Sequence, residues 1–163
     1  MAQNVSLARS LPTAETEIET RAGSPRGAAD GSPGAALGKA KDYTVEAEGG
    51  IYAGMHILVD LWGASRLDDV EHVEKALREA VDACGATLLH IHLHEFTPNG
   101  GVSGVAVLAE SHISVHTWPE HGFGAFDVFM CGSCNPRQAV PVLERFFRPE
   151  RLESNEQMRG RIG

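Results

Sequence analysis

Thr87-Leu88-Leu89-His90-Ile91-His92-Leu93-His94-Glu95-Phe96 is followed by Thr97-Pro98-Asn99-Gly100-Gly101 and then by Val102-Ser103-Gly104-Val105-Ala106-Val107-Leu108-Ala109. The first run alternates, with Leu89, Ile91 and Leu93 on one face and His90, His92 and His94 on the other, as a half-buried strand requires. The middle five residues are turn chemistry. Val102 to Ala109 reads as the next strand, Ser111 to Thr117 as another, and Phe126 to Met130 as one more. Tight connections between consecutive strands imply antiparallel pairing, because parallel strands need long crossovers.

Outward from this block, His56 to Trp62 reads as a strand closed by Gly63. Asp68 or Asp69 caps a helix running to about Ala83. Its residues Val70, Val73, Leu77, Ala80 and Val81 share one face, and Gly85 ends it. Asn135-Pro136 opens a second helix through about Phe147. Strands joined by short turns between two helices predict an α+β fold: a two-layer α/β sandwich, its antiparallel sheet carrying two main helices on one face. The polar remainder, Arg148 to Gly163, is expected to add only a short edge strand near Arg151 to Glu153. No internal repeat is present.

The 163 residues are 42% hydrophobic, 22% charged and 6% aromatic, which is ordinary for a globular chain. Residues 1–50 differ: they are rich in Ala, Gly, Ser, Pro and Glu and have no sustained period. They are expected to be a mostly disordered extension, leaving 51–163 as the folded domain, a small core that dimerisation would help. No apolar run reaches the roughly 20 residues of a membrane span. Neither a secretory signal nor an acid-poor transit peptide fits the N-terminus. A net charge of -8 argues against general nucleic-acid binding. Three cysteines, Cys84, Cys131 and Cys134, suggest a reducing compartment, taken as the cytoplasm.

The densest chemistry lies between Gly101 and Gly132. Glu110-Ser111-His112, His116, Trp118-Pro119-Glu120 and Cys131 put a hydroxyl, an imidazole, carboxylates and a thiol within one short stretch. Singly, each has a bland reading as turn former, structural His or buried Cys.

Together, Gly101-Val102-Ser103-Gly104, Ala109-Glu110-Ser111-His112, His116-Thr117-Trp118-Pro119-Glu120, Asp127-Val128-Phe129 and Cys131-Gly132 resemble the bacterial-type, pyruvoyl-dependent S-adenosylmethionine decarboxylase proenzyme family. The likeness reaches back to Gly54-Met55-His56-Ile57-Leu58-Val59-Asp60-Leu61-Trp62-Gly63 and covers about residues 54–152. It implies autocatalytic serinolysis at Glu110–Ser111. The Ser111 hydroxyl attacks the Glu110 carbonyl to give an ester, β-elimination expels the Glu110 carboxylate and leaves dehydroalanine, and its hydrolysis with loss of ammonia gives a pyruvoyl group at the new N-terminus. Residues 1–110 become a β chain and 111–163 an α chain. By the same resemblance Ser103 assists processing, His116 is the base for elimination, and Cys131 is the general acid of decarboxylation. Glu120 binds the substrate ribose and Phe96 stacks on its adenine. The pyruvoyl group forms a Schiff base with the substrate amine and absorbs the electrons of decarboxylation, for spermidine synthesis. A homodimer of αβ units is implied, with active sites near the subunit interface.

This chain departs from the family in two places. The Pro98-Asn99-Gly100-Gly101 turn is one residue longer than in some relatives, and His121-Gly122-Phe123 follows where a Tyr is common. Other readings are a pyruvoyl-dependent ornithine or arginine decarboxylase with the same processing residues, or an unprocessed metal- or partner-binding module. His90, His92 and His94 would be the metal candidates, although a solvated strand face accounts for them and no metal is expected. Cys131-Gly132-Ser133-Cys134 has the C-x-x-C spacing of a redox pair but lacks a preceding βαβ unit, so Cys131 is read as proton donor and Cys134 as incidental. Trp62 and Trp118 are read as packing residues.

Overall fold

The computed structural model describes residues 43–163. In chain order the elements are β1 (Val45–Ala47), β2 (Gly50–Trp62), α1 (Val70–Ala83), β3 (Leu88–Phe96), β4 (Gly101–Leu108), β5 (Ser111–Trp118), β6 (Phe123–Met130), α2 (Ala139–Phe147) and β7 (Arg151–Arg161). Short 3-10 turns at Pro119–His121 and Pro136–Gln138 precede β6 and α2. The strands form one antiparallel sheet in the order β7-β2-β6-β5-β4-β3, with β1 folded back on the start of β2. Both helices pack on one face of it, so the two-layer expectation holds.

Alternation sorts the side chains. Ile57, Val59 and Leu61 of β2, Ile113 and Val115 of β5, and Phe126, Val128 and Met130 of β6 are buried. They meet Val73, Leu77, Ala80 and Val81 of α1 and Val142, Leu143 and Phe147 of α2. α1 starts where the Asp69 carboxylate accepts the His72 backbone N–H at 2.9 Å. That bond, with Arg66 beside it, holds the Asp69 carboxyl below the usual carboxylate range. Gly85, at φ +70°, leads the chain out of the helix.

The opposite face of the sheet carries no helix. One row crosses all six long strands there: Arg151, Trp62, Phe123, Trp118, Gly101 and Phe96. Trp62 and Trp118 each lie about 5.5 Å from the Phe123 ring, and the Arg151 guanidinium caps Trp62 at 3.6 Å. Leu58, Val107 and Trp118 are each about two-fifths exposed on this face.

Several boundaries differ from expectation. Residues 45–50 belong to a hairpin of the sheet rather than to an extension: Val45, Glu46 and Ala47 pair with Tyr52, Ile51 and Gly50 around a Glu48-Gly49 turn. Residues 1–42 of the expected disordered extension lie outside the described residues. β6 starts at Phe123, three residues early, because Gly124 and Ala125 pair normally but offer no apolar signal. Most of the polar C-terminal stretch is strand. β7 pairs with β2 from Arg151↔Trp62 to Arg161↔Tyr52, and Arg137 holds Glu156 with bonds of 2.7 and 2.6 Å. A solvent-facing edge strand is rich in charge, which hides its periodicity and guards it against edge-to-edge pairing. Leu89 does not share the Ile91 and Leu93 face. The register shifts between Leu88 and His90, and the extra residue Leu89 stands 63% exposed. No described helix is long and apolar enough to cross a membrane.

Thr117 is the buried polar side chain of this core. Its Oγ1 accepts from the Val102 N–H at 2.7 Å and donates to the Leu67 carbonyl at 2.8 Å. Thr117→Val should strand both backbone groups and cost about 2–3 kcal/mol in urea unfolding, whereas Thr117→Ser should cost under about 1 kcal/mol.

Candidate active site

The turn between β4 and β5 presents the Glu110–Ser111 bond. Two neighbouring segments hold it. Thr87, just before β3, grips the Glu110 carboxylate with its N–H at 2.9 Å and its hydroxyl at 3.2 Å. The Ala109 N–H returns to the Thr87 carbonyl at 3.0 Å. From the end of β6, Cys131 donates twice to the Glu110 carbonyl oxygen, through its N–H at 3.1 Å and its thiol at 3.0 Å. Ser111 has φ +149°, a conformation that residues with a Cβ rarely adopt.

This arrangement has the parts of an acyl shift. Two donors converge on one carbonyl oxygen, where negative charge would grow if the adjacent hydroxyl attacked. The peptide under attack is also held in a strained conformation. A serine here can be converted to a carbonyl-bearing terminus, so these residues fit the formation of a pyruvoyl group.

The second cluster lies at the far end of β5. Ser103 and His116 are directly opposed across β4 and β5, and Ser103 Oγ lies 2.9 Å from His116 Nδ1. Both are on the helix-free face. Beside them a cleft of about 210 Å³ is lined by Phe96, Asn99, Gly101, Ser103, Trp118 and Glu120. Asn99 Nδ2 donates to Glu120 Oε1 at 3.4 Å. The Phe96 ring, half exposed, meets His94 edge-on at 4.7 Å. Gly101 leaves the gap in the aromatic row that opens this cleft: a Cβ there would fall 2.9 Å from the Thr117 carbonyl oxygen.

The candidate residues therefore fall into two groups. Glu110, Ser111 and Cys131 share one end of the sheet, and Ser103, His116, Glu120 and Phe96 share the other. Five residues of strand separate Ser111 from His116, about 17 Å at the usual rise.

The competing motifs separate cleanly. Cys131 and Cys134 donate to different carbonyls, those of Glu110 and Gly85. Cys84 is buried, and burial pushes its thiol up to about 11. Among the described residues no group of three His, Cys, Asp or Glu side chains is placed to hold a metal ion. Sequence reasoning missed Thr87 and the Cys131 backbone N–H. Thr87 is 23 residues from Glu110 and has no local signal; only the β3–β4–β5 register brings them together. It also missed a chain across the helix-free face. Arg159 donates to His56 Nδ1 at 3.1 Å, which leaves His56 Nε2–H to donate to Asp127 at 3.2 Å, and Ser114 donates to the same carboxylate at 3.0 Å.

Comparison with known proteins converges on one family. The S-adenosylmethionine decarboxylase family model matches residues 55–160. The chain belongs to the S-adenosylmethionine decarboxylase family. It is 49% identical over 110 residues to the S-adenosylmethionine decarboxylase proenzyme of Thermomicrobium roseum, covering 67% of this chain and 95% of the relative. It is 51% identical over 112 residues to that of Methanococcus maripaludis, covering 67% and 91%. The crystal structure of the adenosylmethionine decarboxylase from Aquifex aeolicus superposes with a TM-score of 0.63 at 37% identity, over 69% of this chain and 94% of that one. Proenzymes of this family use a covalent pyruvoyl group formed from a serine.

In this family member Cys84 is expected to stay protonated and shielded. Brief alkylation of the native protein at pH 8 should leave Cys84 unmodified in peptide mapping, and full labelling of Cys84 should require denaturant.

Proposed function

We propose that the chain is a self-processing S-adenosylmethionine decarboxylase that cuts itself at Glu110–Ser111 into a β chain, 1–110, and an α chain, 111–163. The observation that carries this is the double grip of Cys131 on the Glu110 carbonyl beside a Ser111 held at φ +149°. Attack by the Ser111 hydroxyl transfers the acyl group from nitrogen to oxygen, with the Cys131 N–H and thiol bearing the oxyanion. His116, oriented by Ser103, then takes the Ser111 α-proton, Glu110 leaves as a free carboxylate, and water hydrolyses the dehydroalanine left at residue 111 with loss of ammonia. The pyruvoyl group formed at residue 111 supplies an electron sink for the pair released when the substrate loses its carboxylate. Cys131, beside residue 111, holds the proton that the product carbon needs. Glu120 accepts from the ribose hydroxyls and Phe96 stacks on the adenine. A decarboxylated nucleoside product then serves spermidine synthesis. A thiol that must stay protonated and reduced suits a reducing compartment, the cytoplasm.

A base must come within about 3 Å of the proton it takes. His116 stands about five times farther than that from the Ser111 of its own copy. We propose that two copies pack their helix-free faces together about a two-fold axis. Each then brings its Ser103–His116 pair and its Phe96–Glu120 cleft to the other's Ser111 and Cys131. The exposed Leu58, Val107 and Trp118 suit such an isologous contact. The cleft also favours a nucleoside over ornithine or arginine, which offer neither a ring to Phe96 nor a diol to Glu120.

Intact mass tests the first step. Fresh protein should resolve into two chains split at Glu110–Ser111, and Ser111→Ala should remain one chain. Release of labelled carbon dioxide should occur from S-adenosylmethionine and not from ornithine or arginine. His116→Ala alone should stay uncut; mixed with Ser111→Ala under conditions that exchange subunits, the His116→Ala chains should be cut. Mixed dimers that form without cutting would refute the two-copy site. Cys131→Ala keeps its backbone donor, so it should still mature, more slowly, while decarboxylation falls about 10²–10⁴-fold.

A further inference from the structure

We infer that Thr87 is a positioning residue for self-cleavage, acting through the Glu110 carboxylate; this rests on Glu110–Ser111 being the bond that is cut. A strained φ persists only where surrounding contacts over-determine it. Cys131 fixes the carbonyl end of Glu110, but a carbonyl held at one point can still swing about its own chain. Thr87 supplies the second point. Its N–H and hydroxyl take separate oxygens of the Glu110 carboxylate, and its carbonyl takes the Ala109 N–H. Residue 110 is thus clamped by its side chain at the residue that leads into β3 and by its carbonyl at the residue that follows β6. With both clamps closed, the peptide cannot rotate to relax Ser111 without breaking hydrogen bonds to a charged group.

The clamp has a direction in the reaction sequence. Before cleavage it stabilises the strained peptide and so favours attack by Ser111. After cleavage Glu110 ends the β chain, and the clamp only parks that terminus beside β3. Thr87 is therefore expected to govern maturation and not the turnover of matured enzyme. A threonine that merely capped the turn would affect stability and leave the cleavage rate alone.

The test follows maturation of freshly synthesised full-length chain by intact mass. Thr87→Val keeps the branched shape and the backbone donor but loses the hydroxyl, and should slow cleavage about three- to tenfold. Thr87→Ser restores the hydroxyl and should cleave close to the wild-type rate. Once cleaved, Thr87→Val chains should release carbon dioxide at the wild-type rate per reactive carbonyl, counted by hydrazine labelling. Glu110→Ala should slow cleavage comparably, and the double variant Thr87→Val/Glu110→Ala should be no slower than Glu110→Ala alone, since both act through one contact. Cleavage of Thr87→Val at the wild-type rate would overturn the inference. So would additive slowing in the double variant, or slowing that Thr87→Ser fails to rescue. Wild-type protein cut at another bond, or not at all, would instead remove the premise.

Discussion

The register of β5 between β4 and β6 decides where every reactive group lies. Ser111 pairs with Leu108 and Met130, which brings Cys131 to the Glu110 carbonyl, and His116 pairs with Ser103 in the same register. A slip of one residue would turn His116 into the core and Ile113 out of it. Ile113, Val115 and Thr117 prevent the slip because each is buried under the helices. Apolar packing on one face thereby fixes polar chemistry on the other, and the two cannot vary independently.

The proposed catalytic groups also share a geometric logic. None needs deep burial in a single copy: His116 and Glu120 are exposed, and Ser111 and Cys131 are half-buried. Electrostatic stabilisation of a growing oxyanion is strongest where water is excluded. A second copy laid over the helix-free face would supply that exclusion. It would also enclose the Arg159–His56–Asp127–Ser114 chain, whose hydrogen bonds already satisfy one another across three strands and β7's edge.

Much of this was legible in the sequence. The α1 cap within Asp68–Asp69, the strands flanking the Pro98–Gly101 turn and the two-helix layer follow from periodicity and turn chemistry. They are set by local residues that bury one face. What stayed hidden depends on neighbours distant along the chain. Most of β7 was invisible because an edge strand of Arg, Glu and Gln needs its partner, β2, to order it. Leu89 misled because a bulge cannot be told from regular alternation by composition. The motif residues of the candidate site could be named from their order, but their division between two ends of a sheet could not. Ser111 and His116 look adjacent at a spacing of five; an extended chain turns that short spacing into a long distance.

That distance has a kinetic meaning. On the proposed arrangement a lone newly made polypeptide stalls before elimination, since it carries both Ser111 and the base but can never bring one to the other. Activation becomes a second-order event whose half-time shortens as copies accumulate. The length of one strand would then couple the supply of working enzyme to the square of its own abundance.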